Sequence, residues 1–173
     1  MSAADYAAVE RLWDGLVLRI RALRPTDRAE LLAAFERTSE ESLYRRFFAP
    51  KRTFSEREIE FFVNVDFVSH VALAAVLEDG ERQVIVGAGR YVVSEPGCAE
   101  VAFAVDDSHQ KRGIGTLLMR HLVVIAREAG IGQFVAEVFP NNAPMLKVFQ
   151  RCGLAMTTHR EAGVVHVTLH LAQ

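Results

Sequence analysis

Gln110-Lys111-Arg112-Gly113-Ile114-Gly115 lies between an apolar, strand-like run and a long helical pattern, where a loop can present bare backbone N–H groups. Glycine lacks a Cβ, so the chain can turn tightly and approach a ligand closely, while the first turn of the following helix leaves its N–H donors without intrahelical partners. Such a loop is a phosphate cradle. A charged acceptor makes each of these hydrogen bonds worth about 1.5–3 kcal/mol, and the positive end of the helix dipole adds to them, so several together can hold a pyrophosphate. The dinucleotide fingerprint is excluded, because Gly113-Ile114-Gly115-Thr116-Leu117-Leu118 ends in Leu where that motif needs a third small residue. A Walker A loop needs Gly-Lys-Ser/Thr, which is missing here. Two glycines serving only as punctuation at a helix entrance are the competing reading.

Other reactive residue types are sparse. Cys98 and Cys152 are too few and too scattered for a zinc site or a disulfide framework, and both are expected to be reduced. His121 falls on the apolar stripe of the long helix and reads as a hydrogen-bonded core residue. His70, close after Asp66, is a backup base at a strand start, with a surface histidine as the plainer alternative. His159, His166 and His170 can group on a terminal hairpin, but without Cys or a clear carboxylate set no metal is expected. Arg45-Arg46-Phe47-Phe48 combines cations with aromatics, a pairing suited to an acidic substrate surface or to covering a cleft.

Positioning these groups falls to a chain of 173 residues, enough for one domain, residues 1–173. Half the residues are apolar and 24% are charged, which excludes disorder and fibrous designs. The formal charge of −2 and a pI near 6.3 argue against nucleic acid, despite basic pairs at Arg45-Arg46, Lys51-Arg52 and Lys111-Arg112. No apolar run is long enough to span a bilayer, and Asp5 and Glu10 stand where a signal peptide would carry Lys or Arg; no membrane partner and a cytoplasmic location are expected.

Residues 3–14 read as a weak helix, and Leu16–Leu23 alternates from Leu18 onward as a strand does. Pro25-Thr26-Asp27 supplies a stop and an N-cap for a helix, Ser39 caps a second, and Ser55 with Glu58 forms a capping box for a third. Three strands follow at His70–Leu77, Val84–Ser94 and Ala99–Val105, separated by turn signals. The long helix begins at Ile114 and is closed by Gly130, Phe134–Phe139 is a strand, Pro144–Cys152 a helix, and Leu154–Arg160 with Val164–Leu171 a hairpin. Hairpins dominate, yet the strand–helix–strand unit at 99–139 requires a parallel crossover, so the fold class is α+β.

Val105–Gly115 and Asn142–Gly153 resemble the GNAT superfamily of acyl-CoA-dependent N-acyltransferases. Its pyrophosphate loop, Gln/Arg-x-x-Gly-x-Gly/Ala, is matched by Gln110, Gly113 and Gly115. Its Asn-x-x-Ala-x-x-x-Tyr-x-x-x-Gly-Phe segment falls on Asn142, Met145, Phe149, Gly153 and Leu154, so the Asn and Gly are kept and the rest is altered. Within the superfamily, Glu41–Phe48 and Ala99–Val105 look similar to the Pat-type protein lysine acetyltransferases, which often carry a fused regulatory domain. The resemblance implies a mixed, mostly antiparallel central sheet of six to seven strands flanked by helices, with acetyl-CoA as cosubstrate.

Carried over residue by residue, the resemblance assigns the pantetheine arm to the backbone of Phe103 and Val105. It assigns the pyrophosphate to the loop formed by Gln110, Lys111, Arg112, Gly113, Ile114, Gly115 and Thr116, with Asn142 also on the cofactor side. Glu100 is the expected general base, matching a functional Glu of the Pat-type enzymes; in an ideal strand it shares a face with Ala102 and Ala104, whose small side chains leave room for an amine and a thioester. An edge salt bridge is the plainer role for it. Phe149 stands where the superfamily often places a proton-donating tyrosine, so the thiolate, with a pKa near 8.5, leaves unaided or through water. The implied acceptor is an amine, with a protein lysine such as that of an acyl-CoA synthetase as the named candidate. A polyamine, amino acid or antibiotic is the alternative, and a non-catalytic CoA-sensing module is a third reading. A monomer or homodimer is expected.

Overall fold

In the computed structural model, which describes residues 2–51 and 53–172, a single mixed sheet has the strand order β1-β2-β3-β4-β5-β6-β8-β7. The strands are β1 Ala7–Arg11, β2 Val17–Ala22, β3 His70–Asp79, β4 Arg82–Glu95, β5 Cys98–Val105, β6 Gln133–Val138, β7 Ala155–Glu161 and β8 Val164–His170. The α-helices are α1 Arg28–Arg37, α2 Glu40–Phe47, α3 Glu56–Val63, α4 Ile114–Glu128 and α5 Ala143–Arg151. Neighbouring strands are antiparallel except β5 and β6, the two joined through α4. The α+β class with its parallel crossover is therefore observed. Arg52 of the basic pair at 51–52 lies outside the described residues.

Eight strands exceed the expected six to seven, and the surplus is β1. Residues 3–14 hold a 3-10 turn at Ala3–Asp5 and then extend, Ala7 lying opposite Arg21 and Arg11 opposite Val17. A helix this short is marginal in water, whereas pairing with β2 satisfies backbone groups along a sheet edge, so tertiary context overrides the weak local pattern.

Local chemistry fixes most other boundaries. Ser39 Oγ accepts from Ser42 N at 3.1 Å, and Ser55 and Glu58 complete their reciprocal box at 3.2 and 3.1 Å. Gly130, with φ of +79°, follows α4 and lets Ile131 N reach back to Ala126 O at 2.9 Å. Asp27 does not cap α1 with its side chain. It takes Arg21 in a buried two-pronged ion pair, both contacts 2.8 Å, and accepts from Arg24 N at 2.7 Å. Burial alone would raise the Asp27 pKa, but these bonds hold it below the usual carboxylate value.

Strand alternation sends side chains into two cores. From β3, Val71, Leu73 and Ala75 face the layer containing Leu118, Met119 and Leu122 of α4, while Ala72, Ala74 and Val76 face Leu31 of α1 and Phe62 of α3. Gly89 of β4 lets the first layer close, since a Cβ there would lie 2.8 Å from the Phe103 ring. His121 of α4 is buried as expected, hydrogen-bonded to the Tyr6 hydroxyl and, at 2.8 Å, to Glu10. Among the described residues no helix is long and apolar enough to cross a membrane.

His70 is also buried. Its Nε2 lies 3.0 Å from Arg90 Nη1, which also donates to Phe62 O at 3.3 Å, and its ring stacks on Phe61. The imidazole is thus a neutral acceptor occupied with Arg90. Burial, then the Arg90 charge, pushes its pKa down to about 4 against a smaller opposing pull from Asp66. Unfolded histidine titrates near 6.5, so below that pH the unfolded chain binds a proton that the native state refuses. Stability from His70 is therefore complete above about pH 6.5 and is lost as pH falls toward 4. The urea midpoint should decline over this window, and decline less in His70→Gln; parallel profiles would exclude His70 as the cause.

Candidate active site

The parallel pairing of β5 with β6 comprises Cys98 with Gln133, Ala99 with Phe134, and Glu100 with Val135. Beyond Glu100 the strands part: β6 continues beside β8, and β5 stays on β4 as far as Val105. Asp106 N donates to Val86 O at 2.8 Å and Val105 lies opposite Gly87, so Ala102 and Ala104 spend their backbone groups on β4. The backbone groups of Phe103 and the N–H of Val105 consequently turn into the gap, while the Val105 carbonyl accepts from Gln110 Nε2 at 3.0 Å. The five residue-to-residue steps from Glu100 to Val105 rise about 17 Å, giving the fork a long edge unpaired with β6, on which an extended amide-bearing arm can lie as an added strand.

The wide end of the fork meets the glycine loop. Lys111 and Gly113 both have positive φ, +63° and +88°, and the first intrahelical bond of α4 is from Leu117 N to Gly113 O at 3.0 Å. The amides of Ile114, Gly115 and Thr116 precede it. Helices α2, α3 and α5 carry side-chain caps, whereas α4 has none and no acid in its first turn. A helix entrance left uncapped at a cleft, with two left-handed residues before it, is a concave set of donors suited to an anion. Gly115 also permits α5 to approach, since a Cβ there would lie 3.1 Å from Val148 Cγ2.

A cleft of about 860 Å³ joins these parts and is lined by Glu100, Phe103, Val105, Gly113, Gly115 and Thr116 among others. Exposed Glu100 stands at the last paired rung, on the face shared with the half-buried Ala102 and Ala104. Arg45 and Arg46 of α2 form part of the wall. Arg45 is tied to Glu41 at 3.0 Å, while the Arg46 guanidinium lies over the Phe47 ring at 4.7 Å. Desolvation of the half-buried Arg46 pushes its pKa down to about 10, and the Glu100 charge partly offsets it, so the two charges interact. Phe139 packs against Tyr44 and Phe48, centroids 5.3 and 4.5 Å apart, and so bridges α2 to the end of β6.

The remaining sequence-predicted residues separate by role. Gln110 Nε2 donates to Val105 O at 3.0 Å and to Ser42 Oγ at 3.3 Å, fastening the loop to β5 and α2. Arg112 turns to Asp14 at 3.5 Å, Ile114 packs in the core, and Asn142 caps α5 through Met145 N at 3.4 Å; Lys111 and Asn142 also line the cleft. Phe149 is buried against Phe103, and Cys152 Sγ donates to Phe149 O at 2.8 Å. Sequence reasoning did not find the Arg46–Glu100 proximity or the Tyr44–Phe139 stack. Both join elements far apart in the chain, and no local pattern signals them.

The forked mixed sheet, with a helix entrance at its mouth, is the architecture of the GNAT fold, and comparison with known proteins agrees. Residues 31–154 match the acetyltransferase (GNAT) family. The chain is 33% identical over 148 residues to Acetyltransferase Pat of Mycolicibacterium smegmatis, covering 84% of this chain and 43% of that protein. It is 34% identical over 155 residues to Acetyltransferase PA5475 of Pseudomonas aeruginosa, covering 88% and 82%. The crystal structure of the GNAT domain of S. lividans PAT is 36% identical with a TM-score of 0.87, over 95% of this chain and 96% of that one. The chain belongs to the acetyltransferase (GNAT) family, for which acetyl-CoA is the cosubstrate. It spans less than half the length of the Mycolicibacterium relative.

Proposed function

We propose that residues 1–173 act as one acyltransferase domain, which moves the acetyl group of acetyl-CoA to an amine, with a protein lysine as the acceptor. One observation carries the reading: the fork opens at Glu100, a carboxylate on its last paired rung, and ends at the uncapped entrance of α4. Amides of Ile114, Gly115 and Thr116 fit the diphosphate, and the gap-facing backbone of Phe103 and Val105 fits the pantetheine amides. The thioester then lies toward the vertex. Glu100 first takes a proton from the incoming ammonium, the freed amine attacks the thioester carbonyl carbon, the C–S bond breaks, and the second nitrogen proton leaves to solvent or to the departing thiolate. Phe149 cannot protonate the departing sulfur, and a thiolate of pKa near 8.5 does not require it to. Lysine as acceptor is supported by the likeness to Pat proteins; a cytoplasmic location is part of the same reading.

The test is thiol release from acetyl-CoA across an amine panel containing polyamines, amino acids, antibiotics and an acyl-CoA synthetase. Acetylation of the synthetase lysine bears the proposal out. Transfer to small amines alone makes the acceptor a metabolite, and tight acetyl-CoA binding without transfer to any amine makes the chain a CoA sensor.

Arg45 and Arg46 should separate in the same assay. Arg45→Ala removes a cation from the acceptor wall and should raise the acceptor KM about tenfold, the loss of one charge-assisted contact, with acetyl-CoA affinity unchanged. Arg46→Ala removes the cation beside Glu100 and should lower kcat instead. Equal loss of acceptor and acetyl-CoA affinity in Arg45→Ala would reject that wall assignment.

A further inference from the structure

At the rim of the acyl-transfer cleft, three outer strands bring imidazoles and carboxylates to one patch. His159 of β7 lies opposite His166 of β8, and His166 lies opposite Glu137 of β6, so the three form a row across the sheet. Glu161 is two residues beyond His159 and therefore on the same face. His159 Nε2 is 3.6 Å from Glu161 Oε2, and His166 Nδ1 is 3.7 Å from Glu137 Oε1. One ligand atom from each of His159, Glu161 and His166 lies within 4.8 Å of the others. The two imidazole rings stack at 4.8 Å with 13° between their planes.

We propose that His159, Glu161 and His166 bind one divalent metal ion of the zinc class, with Glu137 as the fourth ligand. Zinc holds nitrogen at about 2.0–2.1 Å and carboxylate oxygen at about 2.0–2.2 Å, so tetrahedral ligand atoms stand roughly 3.3 Å apart. The two histidine–carboxylate pairs already approach that spacing. Closing the remaining gap needs only rotation of side chains on an exposed face, because His159 and Glu161 are 68% and 73% exposed. Two imidazoles with two carboxylates suit zinc, nickel or copper, whereas calcium and magnesium prefer oxygen alone. The sequence shows no metal spacing because the ligands come from three strands and meet only through register. Glu137 also lines the cleft, so the ion sits at its rim and ties edge strand β7 through β8 to the forked strand β6.

The experiment is calorimetric titration of the untagged chain with zinc chloride, repeated with His159→Ala, His166→Ala and His170→Ala. His170 is on the same strand face as His166 but is not part of the cluster, which makes it the control. One ion per chain is expected, with affinity falling about tenfold or more in either cluster variant and unchanged in His170→Ala. Zinc should raise the melting temperature of the unsubstituted chain and not of His166→Ala, while melting without metal shows that each variant folds. Absence of zinc binding overturns the proposal. Binding that persists in His166→Ala also overturns it, because the ion would then be held elsewhere, as by Cys98 or Cys152.

Discussion

Glu100→Gln should lower kcat by about 10²–10⁴-fold at neutral pH, the usual contribution of a positioned general base, while acetyl-CoA affinity is nearly unchanged. Glutamine keeps the shape of the side chain at the vertex of the fork and removes only its basicity. A lysine ammonium titrates near 10.4, so freeing the amine at pH 7 costs about 3.4 units, or roughly 4.6 kcal/mol. The sign of the pH dependence follows. Without the base, the rate should climb with pH as solvent deprotonates the amine, and the deficit should narrow toward pH 10. Glu100→Asp, with a carboxylate one methylene further away, should fall between. Removal of Arg46, whose charge interacts with that of Glu100, should act in the same direction with smaller effect. Parallel pH–rate profiles for the unsubstituted chain and Glu100→Gln would remove Glu100 as the base. A matching loss of acetyl-CoA binding would make its role structural.

What the sequence discloses about this site depends on how local the physics is. The loop from Gln110 to Gly115 is legible because glycines at a helix entrance constrain the backbone on the spot, and the Ser55–Glu58 box because both partners lie within one turn. The left-handed torsion at Gly113 and the left-handed exit at Gly130 agree with the residues found there. By contrast, β1 has no strand signal of its own and exists because β2 offers an edge. Arg112 carries a charge suited to phosphate yet spends it on Asp14, and Asn142, assigned to the cofactor side by resemblance, caps α5. Such choices are settled by neighbours far away in sequence. Glu100 illustrates both cases: strand alternation places it beside Ala102 and Ala104, but its position at the final rung with β6, and Arg46 next to it, emerge only from the folded sheet.

Gly113→Val should weaken acetyl-CoA binding by about 10²-fold or more and leave the fold intact. At φ of +88° the residue occupies a region that L side chains avoid, at a cost of about 1–2 kcal/mol, and β-branching makes valine a particularly poor occupant. The added Cβ meets nothing within 4 Å, so the penalty falls on the backbone torsion rather than on packing. Relief comes by rotating the peptides on either side, which turns the amides at the entrance of α4 away from the cleft. Two lost bonds to a charged phosphate, at about 1.5–3 kcal/mol each, amount to about 3 kcal/mol or more. That corresponds to roughly 10²-fold in Kd. Calorimetry with acetyl-CoA reads the loss, and desulfo-CoA or pantetheine fragments locate it: binding of a pantetheine piece lacking the diphosphate should be unaffected by the substitution. If Gly113→Val binds acetyl-CoA as the unsubstituted chain does, the amides do not grip the diphosphate, and the donor must enter the fork by another route.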